Sequence, residues 1–376
     1  MSGAATLRGG LIAATMLGCA ACGAATATTP PAQPVSPAAS GTAKLSVNSA
    51  AAADWREVSV ANRPLARNSA GFAYDAANQT VVLSGGRHGC GPSATSYSDT
   101  WILDGSTWHI PAQKQVRTPG EMATFSMAYD PDVAKVIALG VFSGCGVQTG
   151  MMSWNGVAWQ PSPDGLALPS PMFSRVLAFD TATHELIAFG FGQTACTAGC
   201  PPNGGPETWA YNGATWSQLH PAQSPPGLDE MAMAYDIARH ELVLFGGETH
   251  NINGTTGVAV NNTWVFDGTT WTQLAPPTVP SARVGASMVF DQALGRIILF
   301  GGASSNPDAT SASPTVFDDM WTFDGTTWQQ LHPATIPSGR FLAQMTYDDA
   351  SQQIVLFGGA LNTTSDANDT WTFGAH

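Results

Sequence analysis

Lysine is almost missing from this chain of 376 residues, which has only Lys44, Lys114 and Lys135 and a formal net charge of −13. A protein so short of cations offers little to a phosphate backbone, and this excludes nucleic acid as a partner class. Charge of either sign is scarce, at 11% of residues, yet 44% are hydrophobic, so the chain has the means to build a core and is not of the disordered class. Long apolar runs are also absent. The only sustained one follows Leu11 near the N-terminus, and it is too short to span a bilayer. Histidine is thinly spread: His184 and His240 fall in short turns, His220 and His332 end the short strand segments that begin at Trp216 and Trp328, and only His88 and His250 lie in longer polar stretches. None shows the spacing of metal ligands, and no metal or cofactor is expected.

What the chain has in quantity is glycine, proline and tryptophan, with 40, 26 and 12 residues, the composition of many short strands joined by turns. Residues 231–274 show the unit. An apolar strand ends in Tyr235-Asp236, a four-residue turn follows, and a second apolar strand ends in Gly246-Gly247; after a polar loop come a strand opening Asn262-Thr263-Trp264, the pair Asp267-Gly268 and a last strand with Trp271. The aromatic-Asp pair recurs at Asp75, Asp130, Asp180, Asp236, Asp291 and Asp348, in steps of 55, 50, 56, 55 and 57 residues. Repeats of that period mean an array of small units that bury their faces against one another.

Eleven tryptophans sort into third and fourth strands of these units, and Trp55 is left over. The sixth unit stops at Phe373-Gly374-Ala375-His376, where its fourth strand is due, so residues 54–60 are expected to supply that strand and close a ring. The Gly-Gly doublet ending the second strand, the tryptophan of the third and a Pro-x-x-Arg approach to the next unit resemble kelch repeats over about residues 54–376. The resemblance implies an all-β, six-bladed propeller over 53–376. Two units depart from it: the third has Gly190-Phe191-Gly192, and the second has Leu139-Gly140-Val141 with Met152 in the tryptophan slot and Trp154 two places later. A two-residue slip keeps the same strand face, so these blades are expected to be irregular but present.

Residues 1–22 read as an export signal, with Arg8 before an apolar run and small residues before a cysteine. Met16-Leu17-Gly18-Cys19 resembles a bacterial lipobox, which implies lipidation at Cys19, with Cys22 as the rival acceptor. Residues 23–52, rich in Ala, Thr, Pro and Ser, suit a flexible tether. An exported protein, at the cell surface or in the periplasm and held to a membrane by lipid alone, is the expected setting.

In four-stranded blades the second–third loop and the crossover share one end of the ring, here carrying the variable segments 87–98, 142–149, 193–206, 248–261, 303–318 and 360–368. Binding usually sits on such loops. Cys90, Cys145, Cys196 and Cys200 fall there, and in an oxidising compartment they read as disulfides, Cys90–Cys145 and Cys196–Cys200 among the three possible pairings; a thiolate metal site with His88 is the alternative. Arg67, Arg283 and Arg340 stand eight residues before the repeat aspartate in units one, five and six, which a closed ring makes adjacent. Either they are a repeat feature holding a crossover, or they form a crescent for an acidic peptide or glycan, as the resemblance to ligand-binding kelch propellers implies. Arg175 and Glu230 interrupt apolar first strands: either they form a structural ion pair, the reading favoured by how buried opposite charges are usually used, or they line the channel as a site for a sugar-acid isomerase or hydrolase. No residue is assigned to catalysis. The expected function is therefore a monomeric, membrane-anchored binding or scaffold module for a protein or anionic ligand. The alternative is a carbohydrate or sugar-acid enzyme, an isomerase or hydrolase, at the channel mouth.

Overall fold

The computed structural model describes residues 53–90, 94–112, 122–142, 148–161, 172–192, 205–249, 257–306 and 313–375. Every named element among them is a β-strand. They form six four-stranded antiparallel sheets and two short two-stranded ones, Arg87–His88 with Thr95–Ser96 and Leu228–Asp229 with Glu248–Thr249. The innermost strands are Gly71–Asp75, Met122–Asp130, Met172–Asp180, Ala232–Asp236, Ser287–Asp291 and Gln344–Asp348. Each contacts the next, and the sixth contacts the first, so the sheets are the blades of a closed six-bladed propeller.

The ring closes as the unclaimed tryptophan requires. Asp54–Glu57 pairs with Thr370–Gly374 in the order Asp54↔Gly374, Trp55↔Phe373, Arg56↔Thr372 and Glu57↔Trp371, as the fourth strand of blade six. Trp55 is 2% exposed and lies between Phe300 of blade five and Phe373 of blade six. Four other fourth-strand tryptophans have the same double attachment, with ring contacts beneath and an indole N–H reaching the preceding blade. Trp108, Trp159, Trp271 and Trp328 donate to the hydroxyls of Thr370, Thr100, Thr208 and Thr263 at 2.9–3.0 Å.

The repeat aspartate is a turn cap. Asp130, Asp180, Asp236 and Asp348 each accept, through Oδ1, the amides two and three residues on. These bonds satisfy a four-residue turn whose last residue is left-handed, as at Gln79, Ala134, His184, His240 and Gln352. The second strands, such as Leu242-Val243-Leu244-Phe245 at 0–1% exposure, are buried on both faces because neighbouring blades cover each side.

The Gly-Gly doublets are a backbone requirement. Both glycines have positive φ in blades one, four, five and six. A Cβ on Gly246 would stand 2.7 Å from the Arg283 carbonyl oxygen, and one on Gly358 would stand 2.6 Å from that of Arg67. The doublet of one blade is therefore the seat for the crossover of the next: Gly247, Gly302 and Gly359 donate their amides to the carbonyls of Arg283, Arg340 and Arg67 at 2.8–2.9 Å.

Blades two and three are built differently. Their first two strands run on as Met122–Asp130 with Lys135–Phe142 and Met172–Asp180 with Glu185–Gly192, and each pair carries a register shift, between Met122 and Thr124 and between Phe173 and Val176. Met152 takes the tryptophan slot, facing Ala138, while Trp154 faces Val136 and packs on Trp159 at 5.5 Å. The two-residue slip kept the strand face, as the sequence led us to expect.

Candidate functional site

The crossover arginines turn inward, which corrects the expectation of a ligand-facing crescent. Arg67, Arg283 and Arg340 are 1%, 0% and 1% exposed. Each makes a two-pronged pair with a carboxylate of its own blade, at 2.6 and 2.9 Å: Arg67 with Asp99, Arg283 with Asp319 and Arg340 with Asp369. Each also donates to the carbonyl of its own blade's first doublet glycine, Gly85, Gly301 or Gly358, at 2.8–3.0 Å. Nε donates to the carbonyl two residues back, at Leu65, Ser281 or Ser338. Tyr97 and Phe317 cover two of the guanidinium groups at 4.3 Å. With its donors spent on two carboxylate oxygens and two carbonyls, each guanidinium acts as a latch for the crossover.

The carboxylates respond to this environment. Burial alone would raise the pKa of Asp99, Asp319 and Asp369. The hydrogen bonds and charge of the arginine, with a further bond from the indole of Trp101, Trp321 or Trp371, outweigh burial and hold each below the ordinary aspartate value. The sequence did carry this signal. Asp-x-Trp occurs in the units that have the arginine, at Asp99, Asp319 and Asp369, whereas units three and four have Glu207 and Asn262 at that position with Met172 and Leu228 in place of arginine.

The central channel is the remaining candidate: Arg175 and Glu230 both line a cavity of about 510 Å³ among the inner strands. That size suits a small organic ligand. Arg175 occupies the bulge of blade three, where Ser174 and Arg175 together oppose Gly190 between the pairs Phe173↔Phe191 and Val176↔Phe189. A bulge redirects a side chain and is a common device beside binding sites. The corresponding residues of blades one, five and six are Ala70, Ala286 and Ala343, each set against the second doublet glycine. Replacement of that glycine by Phe191 accompanies the change from alanine to arginine. Arg175 is 6% exposed, and burial pulls its pKa down to about 9, leaving it cationic at neutral pH. Arg87 also lines the cavity, its Nε donating to Asn68 at 3.2 Å.

Glu230 has φ 52°, but Ser69, Gly285 and Leu342 occupy the same place in their blades with φ of 53°, 61° and 53°. The left-handed backbone is therefore a property of the repeat. These residues form a chain of amide-to-carbonyl bonds around the mouth, Ser69 to Leu342, Leu342 to Gly285 and Gly285 to Glu230, at 2.7–3.1 Å.

Two loops meet above this arc. Asp366, its side chain fully buried, accepts the amide of Gly89 at 2.7 Å and Nδ2 of Asn68 at 2.9 Å, and lies 2.8 Å from Nδ1 of His88. Blade six is thereby tied to blade one. Cys90 is half-buried beside the cluster of Val284, Ala303, Phe341 and Ala360. Cys145, Cys196 and Cys200 lie outside the described residues, as do Cys19, Cys22, the signal and tether segments and His250.

Comparison with known proteins agrees with the architecture. Residues 208–376 match the model of the KLHDC2/KLHL20/DRC7 kelch-repeats domain. A solved structure described as that of YjhT shares 14% sequence identity with a TM-score of 0.56, over 83% of this chain and 96% of that one. At that identity the likeness concerns the fold alone, the six-bladed propeller described above.

Proposed function

We propose that this protein is an exported binding module, lipid-anchored through Cys19 or alternatively Cys22, which presents the loop-bearing mouth of its propeller to a protein or other ligand carrying an anionic group. The observation that carries the reading is Arg175, a buried cation directed by a bulge to the wall of a ligand-sized cavity. Arginine suits a carboxylate because its planar fork makes paired hydrogen bonds. In this reading the anionic group is received at Arg175, on the cavity wall that Arg87 also lines.

The test uses the full chain in membranes. Cys19→Ala is expected to release it into the soluble fraction, and release by Cys22→Ala instead moves the anchor. An array of acidic peptides and acidic glycans, probed with the detergent-solubilised protein, is expected to yield binders whose affinity falls with salt and drops at least about tenfold in Arg175→Met, the cost expected from losing a hydrogen bond to a charged group. Binding indifferent to both salt and Arg175→Met sinks the channel-mouth reading.

Glu230 shares the cavity with Arg175, and this favours the second reading, an enzyme acting on a carbohydrate or sugar acid with Glu230 as acid or base. Turnover lost in Glu230→Gln while binding persists distinguishes the two.

A further inference from the structure

The channel is graded along its axis. Near the mouth stand Arg87, Arg175 and Glu230. Deeper, at the residue three before each repeat aspartate, the six blades place Phe72, Met127, Leu177, Met233, Met288 and Met345, all on the cavity wall. Two residues separate Arg175 from Leu177 along the strand, about 7 Å at the rise of an extended chain. The cavity therefore has a cationic entrance and, one short step in, a belt with no polar side chain.

Four of the six belt residues are methionine. Packing between blades explains part of that choice, since Met127 and Met288 are 8% exposed and belong to clusters shared with the preceding blade. Met233 and Met345 are only partly buried against their clusters, and both line the cavity. Unbranched, polarisable side chains adapt to apolar bodies of varied shape. Apolar surface on a cavity wall is removed from water when such a body fills the cavity.

We infer that the channel takes an amphipathic organic acid, its carboxylate at Arg175 and its apolar body against the methionine belt. This rests on the channel-mouth reading above and adds the chemical class of the ligand. A peptide segment presenting an acidic group beside an apolar side chain has the same chemistry as a free acid. Length dependence separates them, because a free acid extends down the belt as its chain grows.

The full chain is titrated calorimetrically with straight-chain carboxylates from acetate to octanoate and with the matching amides. Affinity is expected to rise about fourfold per methylene and level off once the chain has passed the belt, with each amide at least about tenfold weaker than its acid. Met233→Ser with Met345→Ser, at the two half-buried positions, is expected to flatten the length dependence while leaving the preference for acid over amide. Acids preferred over amides but bound equally at every length overturn the apolar-body inference and leave the anionic mouth standing. Acids and amides bound alike, or no binding in the series, overturn both.

Discussion

Blades five, six and one differ from blades two and three in how each is fastened to its neighbour. In the first group a buried arginine grips a carboxylate of its own blade, and its carbonyl receives the doublet amide of the blade before. In the second group there is neither arginine nor doublet, and longer bulged strand pairs run toward the loop face instead. One fold thus tolerates two solutions at the same place. The latched arc fixes its crossovers with charge and its mouth with a chain of backbone hydrogen bonds. The bulged pair gives up that fastening and gains a position, Arg175, where a long cation can face the lumen. The crossover latches sit in repeats that obey the pattern, and Arg175 sits where the pattern breaks.

The most severe way to break the contrast is to open the latched arc at its seam. Removing residues 1–60 deletes the strand Asp54–Glu57 and the 2%-exposed Trp55, exposes the edge of Thr370–Gly374 and uncovers Phe373 and Phe300. Losing a buried tryptophan alone costs about 3–5 kcal/mol, and the open edge invites aggregation. The truncated chain is expected to lose cooperative melting or to aggregate, whereas removal of residues 1–41 leaves the melting curve unchanged. A cooperative transition at the parental temperature in the shorter chain rules the closure out.

A single latch is the next test. Arg340→Leu leaves the Asp369 carboxylate partly buried without its guanidinium, and stability is expected to fall by about 3 kcal/mol. Denaturant titration measures it, and a loss below about 1 kcal/mol shows the latch to be ornamental. The pH dependence follows in sign. Asp99, Asp319 and Asp369 have folded-state pKa values held below the aspartate norm. Their contribution is therefore fully present above the unfolded value of about 4 and is lost as pH falls through the folded values. Hydrogen exchange below about pH 4 is expected to report opening of blades five, six and one first. Asp130 of blade two responds the other way: burial raises its pKa above the norm, so acid relieves a penalty there.

How much of this was legible beforehand depends on the kind of constraint. Spacing of Asp, Gly-Gly and Trp carried the blades, and the orphan Trp55 carried the closure, because a period and a vacant slot are properties of sequence order. The belt at Met127, Met233, Met288 and Met345 was also present in the spacing, at one offset from each repeat aspartate. The fate of the arginines was not read from the residue type, since a guanidinium suits a ligand carboxylate and an internal one equally well. The co-occurrence of Arg67, Arg283 and Arg340 with Asp99, Asp319 and Asp369 held the answer, in a comparison between units. The bulge at Ser174-Arg175 left a weaker trace, the Gly190-Phe191-Gly192 that stands where other units have a doublet, which marks an irregular blade without saying where the register shifts.

The smallest expected effect lies inside the latched arc, at a fourth-strand tryptophan whose indole N–H meets sulfur and not a hydroxyl. Trp55 donates its indole N–H to the sulfur of Met320 at 3.3 Å, while Trp108, Trp159, Trp271 and Trp328 have threonine at the matching place. Met320→Thr makes blade five conform. The gain is an N–H···O bond in place of a weaker sulfur contact, about 1 kcal/mol. The loss is buried side-chain volume at a fully enclosed position, about 1–2 kcal/mol for the missing methylene-sized groups. The terms nearly cancel, so a shift in melting temperature of no more than a few degrees is expected. A large loss means that methionine was chosen to fill space at the seam, where the strand closing the blade comes from the far end of the chain. A clear gain means that the seam tolerates the weaker contact only because the arginine latches on either side already hold the ring shut.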